Sequence, residues 1–232
     1  MGGAQRVAFR FSFSSCLGPH VLRLPASISA TAFHIEEREH LRILRLSSSD
    51  GTNRLTRDSV LSLTDAVSKI TAENRPLVIT GNDRFFSAGA DLLEISALYG
   101  PTAYEFSKMG QTLMNAIADF PAPVYAAISG YCMGGGLDLA LACHYRIASP
   151  HAVFGHRGSA LGLITGWGGT QRLPRLVGKG RALEMFVAAE KVVALQALRM
   201  GLVDAIASDP VSEAVHLIEI RLEKGRSESF FP

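Results

Sequence analysis

The 232-residue sequence predicts an α/β fold built around a single core. Two short apolar runs, Leu77–Thr80 and Val124–Ser129, have strand length, and each runs into a glycine turn. After those turns the apolar residues recur at helical spacing. With 47% hydrophobic and 19% charged residues, the chain has enough apolar matter to bury a sizeable core. Disorder, collagen and coiled coil are excluded by the same numbers. Strand, glycine turn and helix in succession point to parallel or mixed strand pairing.

Taken in order, the first residues form an arm. From Met1 to Ile35 there is no Asp or Glu, while Arg6, Arg10 and Arg23 sit among serines. Residues 1–32 therefore read as a transit-like segment, as a disordered arm, or as residues ahead of a start codon that lies further downstream. The chain is expected in the cytoplasm, or in the mitochondrial matrix if the arm is a transit peptide. The core is expected over 33–209, with 210–232 as a short C-terminal helical segment. A strand is expected at His40–Leu46, a turn at Ser47–Asn53, and a helix from Leu55 to Ile70 that stops before Pro76. The strand Leu77–Thr80 ends at Gly81, and a glycine turn covers Phe86–Asp91. A helix then spans about Thr102 to Asp119, closed by Pro121 and Pro123. Val124–Ser129 leads into Gly134, Gly135 and Gly136, which open a helix. A strand at Tyr145–Ala148, a loop at Gly162–Gly169, helices near Arg181–Ala189 and Leu195–Met200, and an amphipathic helix at Val211–Lys224 complete the reading.

Charge and cysteine content narrow the function. Twenty-three basic and 21 acidic side chains leave +2, and without the three arginines of the arm the two nearly balance, so no basic stripe for nucleic acid is expected. Cys16, Cys132 and Cys143 form no CxxC pair and no zinc-spaced cluster, which argues against a disulfide scaffold or a metal site. The most apolar passage, Pro123–Leu137, is interrupted by Ser129 and glycines, so no membrane span is expected.

Two segments place a glycine turn between a strand and a helix: Ser87–Asp91 and Gly130–Asp138. Backbone N–H groups are unpaired at such junctions and the helix dipole stands behind them, so they suit an anion. If the two loops met, one N–H from each would hold a carbonyl oxygen as negative charge develops on it. Tight packing and a phosphate cradle are the plainer roles of a glycine run, although neither GxGxxG nor a Walker lysine occurs here. Asp138 falls in the first turn of its helix, where it serves either as a dipole partner or as an acid–base carboxylate.

The segments Phe86–Leu92, Pro123–Ala140 and Gly168–Gly178, followed by Ala197–Val203, resemble the enoyl-CoA hydratase/isomerase (crotonase) superfamily. The resemblance implies a crotonase-like fold of repeated β-β-α units. It also implies an acyl-CoA thioester substrate, no cofactor beyond the CoA carried by that substrate, and a homo-oligomer, trimer or hexamer. By motif it assigns the oxyanion donors to the amides of Ala90 and Gly135, and the acid–base carboxylate to Asp138. Ala88, Ala90 and Leu92 would line the adenine pocket, and Asn53 would stand in the turn beside the CoA. Tyr131, Gly158 and Trp167 complete the expected substrate-binding set, Trp167 either walling the acyl pocket or packing in the core.

Two departures bear on the reaction. Hydratases of this family use two glutamates; here the first position is Asp138 and the second is Gly158, which has no side chain. Addition of water needs a group that activates the water and one that delivers the proton, and a misplacement of about 1 Å costs about 10²-fold. His156, Arg157 and Tyr131 are neighbours that would compensate, although packed or surface roles are the plainer ones. The chain also ends sooner than family members do, which bears on assembly.

Overall fold

The computed structural model describes residues 32–228. The arm thus lies outside the described residues, apart from residue 32. In chain order the elements are β1 (Phe33–Glu37), β2 (Arg42–Leu46), β3 (Arg54–Leu55), α1 (Arg57–Thr71), β4 (Leu77–Thr80), β5 (Phe85–Ser87), β6 (Gly89–Ala90), α2 (Leu92–Ser96) and α3 (Gly100–Ala118). They continue with β7 (Val124–Ile128), β8 (Tyr131–Met133), α4 (Gly135–Ala142), β9 (Tyr145–Ala148), β10 (Val153–Gly155), α5 (Gly169–Val177), α6 (Lys179–Val187), β11 (Val192–Val193), α7 (Ala194–Arg199), β12 (Ala205–Ile206) and α8 (Pro210–Glu228).

A six-stranded sheet runs β1-β2-β4-β7-β9-β12, parallel throughout except for the β1–β2 pair, and a second sheet runs β11-β10-β8-β5. Three times the chain leaves a strand of the first sheet and enters the second after a short turn: β4 to β5, β7 to β8 and β9 to β10. The fold is therefore the crotonase-like α/β fold of repeated strand pairs.

Because side chains alternate across a strand, the first sheet feeds two cores. Leu77, Ile79, Val124, Ala126 and Ile128 join one with α1, α3 and α4, whereas Val78, Tyr125, Ala127 and Ile147 join the other. Both faces are covered, which is why β4 and β7 read as unbroken apolar runs. Ala214 and Ile218 of α8 close the second core, so the C-terminal helix packs directly on the main sheet.

Helix ends follow local chemistry. Thr56 caps α1, its hydroxyl accepting the Ser59 N–H at 3.2 Å. α3 begins two residues earlier than expected, because Pro101 suits a first helical turn and the Tyr99 N–H donates to the Thr102 hydroxyl at 2.9 Å. α5 is a helix that the sequence pattern does not announce. Pro174 lies inside it, where a proline ordinarily costs about 3 kcal/mol; burial of Leu173 and Val177 offsets that cost.

Candidate active site

Each glycine of the Gly134–Gly136 run has its own reason. Gly134 adopts φ 52° and ψ −120°, a conformation closed to side chains with a Cβ. A Cβ on Gly135 would lie 2.6 Å from the Trp167 ring, and one on Gly136 would lie 2.7 Å from Ser87. The other glycine turn closes against this one: a Cβ on Gly135 would sit 3.2 Å from the Ala90 nitrogen, and one on Gly89 would sit 3.0 Å from the Gly135 nitrogen. Loops 45 residues apart in the chain thus meet with the backbones of residues 90 and 135 side by side. Gly135 opens α4, so its amide has no intrahelical acceptor.

Beside this junction lies a cavity of about 560 Å³ lined by both turns, by the segment 156–167 and by apolar residues of α3 and α6. Asp138 projects from the first turn of α4 and is 1% exposed. One carboxylate oxygen, Oδ2, accepts the Thr165 hydroxyl, while Oδ1 has no close, well-aligned hydrogen-bond partner. His156, 3% exposed, follows β10 and places Nε2 3.3 Å from that Oδ1. Burial pushes the Asp138 carboxyl up to about 7, against the opposing pull of the Thr165 hydroxyl, Arg172 and the Gly169 and Trp167 backbone amides. It likewise pushes the His156 imidazole down to about 4. A carboxyl held near neutrality can both take and give a proton at physiological pH. Among the described residues no group of three His, Cys, Asp or Glu is placed to hold a metal ion.

Of the residues singled out from sequence, Ala88, Ala90, Leu92, Gly135, Asp138, Gly158 and Trp167 all line this one cavity. Trp167 does two things at once. It walls the cavity, and it packs at 5.3 Å on the Phe106 ring with its indole N–H donating to the Phe106 carbonyl at 3.2 Å. Asn53 and Tyr131 are not among the lining residues. Asn53 is buried with φ 52°, and its amide holds the Phe85 and Phe86 carbonyls at 2.9 and 3.2 Å, which fixes the strand leading to the first glycine turn. Tyr131 is half-exposed, packed 5.5 Å from the Phe85 ring and lying under Lys191. Asp91 caps α2 through the amides of Leu93 and Glu94, and pairs with Arg54 at 2.9 Å. Sequence reasoning missed Thr165 altogether: 27 residues separate it from Asp138, and no spacing rule joins them.

Fold and cavity together define a class: consecutive strands alternate between two mainly parallel sheets, and two glycine turns converge beside a buried carboxylate. The family model described as Enoyl-CoA hydratase/isomerase matches residues 36–228. A crotonyl-CoA hydratase of Syntrophomonas wolfei is 39% identical over 175 residues, 74% of this chain and 67% of that protein. A probable enoyl-CoA hydratase of Bacillus subtilis is 47% identical over 136 residues, 58% of this chain and 53% of that protein. The solved enoyl-CoA hydratase from Thermoplasma volcanium matches with a TM-score of 0.78 at 33% identity, over 84% of this chain and 79% of that one. This chain belongs to the enoyl-CoA hydratase/isomerase family. It spans about two thirds and about half of the length of the two curated relatives. Among the described residues no helix is long and apolar enough to cross a membrane.

Proposed function

We propose that the protein processes an acyl-CoA thioester through an enolate. The amides of Ala90 and Gly135 hold the thioester oxygen as it gains charge, and Asp138 moves the proton at the adjacent carbon. A single observation carries this reading: the backbone junction of residues 90 and 135 shares one cavity with a carboxyl that burial holds near neutrality. Fixed donors in a water-poor site lower the cost of an oxyanion, and losing one such donor typically costs about 10²–10³ in rate. The family relation and the relatives named for enoyl-CoA and crotonyl-CoA hydration support the substrate class. The coenzyme is here part of the substrate, and the apolar wall of Phe106, Trp167 and Phe186 suits its acyl chain.

Within that class, Gly158 favours double-bond isomerisation over hydration. It has no side chain, and a Cβ there would sit 2.8 Å from the Leu163 carbonyl oxygen, so the turn has no room for a second carboxylate. Moving a proton between two carbons of an enoyl thioester requires no activated water. Purified protein incubated separately with crotonyl-CoA, a 3-enoyl-CoA and methylmalonyl-CoA tests the proposal. Turnover of the 3-enoyl-CoA is expected, with Asp138→Asn losing the rate while retaining thioester binding; no turnover of any of the three overturns it.

A further inference from the structure

Asp138 Oδ1 and His156 Nε2 are two enclosed polar atoms without a close, well-aligned hydrogen-bond partner, and they stand 3.3 Å apart, with the Gly169 and Trp167 amides near the carboxyl drawing its pKa down. Bare lone pairs so placed would repel, and each would carry the penalty of an unsatisfied buried group. One proton between them satisfies both.

The surrounding structure holds that gap open. A Cβ on Gly169 would collide with Asp138 Oδ1 and lie 3.0 Å from His156 Nε2, so only glycine at this position leaves the pair its space. The two backbones are tied together as well: the Gly134 N–H, just ahead of α4, donates at 2.9 Å to the Gly155 carbonyl, just ahead of His156. The Phe186 ring of α6 packs 5.1 Å from the imidazole and sets its orientation. Both residues line the cavity, as does Gly158.

We infer that Asp138 and His156 hold one proton in common and act as a single acid–base unit, His156 supplying the second proton site that Gly158 leaves without a side chain. The inference rests on the thioester reading for its substrate and on the pair's geometry for everything else. In the forward step the pair, having released its shared proton, takes one from carbon: the C–H bond breaks, its electron pair passes to the thioester oxygen, and the proton taken becomes the one that the carboxylate and the imidazole share. Return of the proton to another carbon restores the unit with no net change. The charged and titratable groups around the pair are Arg172 of α5 and the buried Cys132 thiol of β8 towards Asp138, with Arg157 beside His156. From the 158–168 segment comes the Thr165 hydroxyl. Burial favours a neutral imidazole beside a carboxyl that titrates near neutrality.

The test combines nitrogen-15 NMR of the unliganded full chain between pH 5 and 9 with the exchange of the α-protons of butyryl-CoA in heavy water. In the wild type the His156 Nε2 signal should step near neutral pH as the pair loses its proton, and Asp138→Asn should abolish the step. His156→Gln should slow exchange by about 10²-fold and displace its pH profile while butyryl-CoA still binds. A flat Nε2 signal, or the same step in Asp138→Asn, overturns the pairing. Unchanged exchange and pH profile in His156→Gln overturn its catalytic share. Exchange without the NMR step refutes the pairing alone; the step without exchange upholds the shared proton and refutes the thioester reading.

Discussion

Asp138 should make this protein less stable as pH rises, and replacing it by a side chain that does not titrate should remove that contribution. An ordinary aspartate titrates at 3.8, whereas in the folded chain Asp138 is pushed up to about 7 by burial. Below 3.8 both folded and unfolded states carry the proton, so the stabilising contribution is fully present. Between 3.8 and about 7 the unfolded chain releases the proton and the folded chain keeps it, so stability falls as pH rises through that window. The whole gap corresponds to about 4 kcal/mol, of which about 2–3 kcal/mol falls between pH 5 and pH 8. In Asp138→Asn the substituted side chain does not titrate, and its amide can donate to His156 Nε2. Urea denaturation of wild type and Asp138→Asn at both pH values should therefore find the variant gaining about 2–3 kcal/mol on the wild type from pH 5 to pH 8. His156 works in the opposite sense. Its value is depressed from 6.5 to about 4, so its contribution is lost as pH falls through that range; at pH 5 and above its imidazole is mainly neutral in the folded state. A stability difference between the two proteins that is the same at pH 5 and pH 8 would refute the buried, proton-holding carboxyl.

Thr165→Val removes the hydroxyl that favours the charged carboxylate, so Asp138 should become a weaker acid by about 10- to 100-fold, read as an upward displacement of the pH–rate profile. Gly135→Ala drives a Cβ to 2.6 Å from the Trp167 ring and should cost about 1–3 kcal/mol in urea denaturation, markedly less in a Trp167→Leu background. Gly158→Glu should bring no hydration of crotonyl-CoA and should destabilise by about 1–3 kcal/mol, because its Cβ meets the Leu163 carbonyl; a tenfold gain in hydration would contradict the steric reading of that turn.

Much of the fold was legible because its central strands are buried on both faces. Leu77–Thr80 and Val124–Ile128 announce themselves as unbroken apolar runs, and Gly81 and Gly130 mark their ends. α5 was hidden by Pro174 and by the glycines at its start, since its stability comes from burying Leu173 and Val177 rather than from propensity. The segment 162–169 read as a glycine-rich loop from which Trp167 would wall the pocket or pack in the core, and nothing in it pointed to Thr165, which it delivers to the carboxylate.

From its residues alone the chain fixed an α/β core, two glycine turns each joining a strand to a helix, and a carboxylate one turn into the second helix, because these are local patterns of burial, φ and capping. Tertiary packing alone decided that residues 90 and 135 stand side by side, that Asp138 faces His156, and that Gly158 has no room for a side chain. Those facts depend on distances between segments far apart in the chain, and a proton's affinity for a group is set by how much water the surrounding fold excludes.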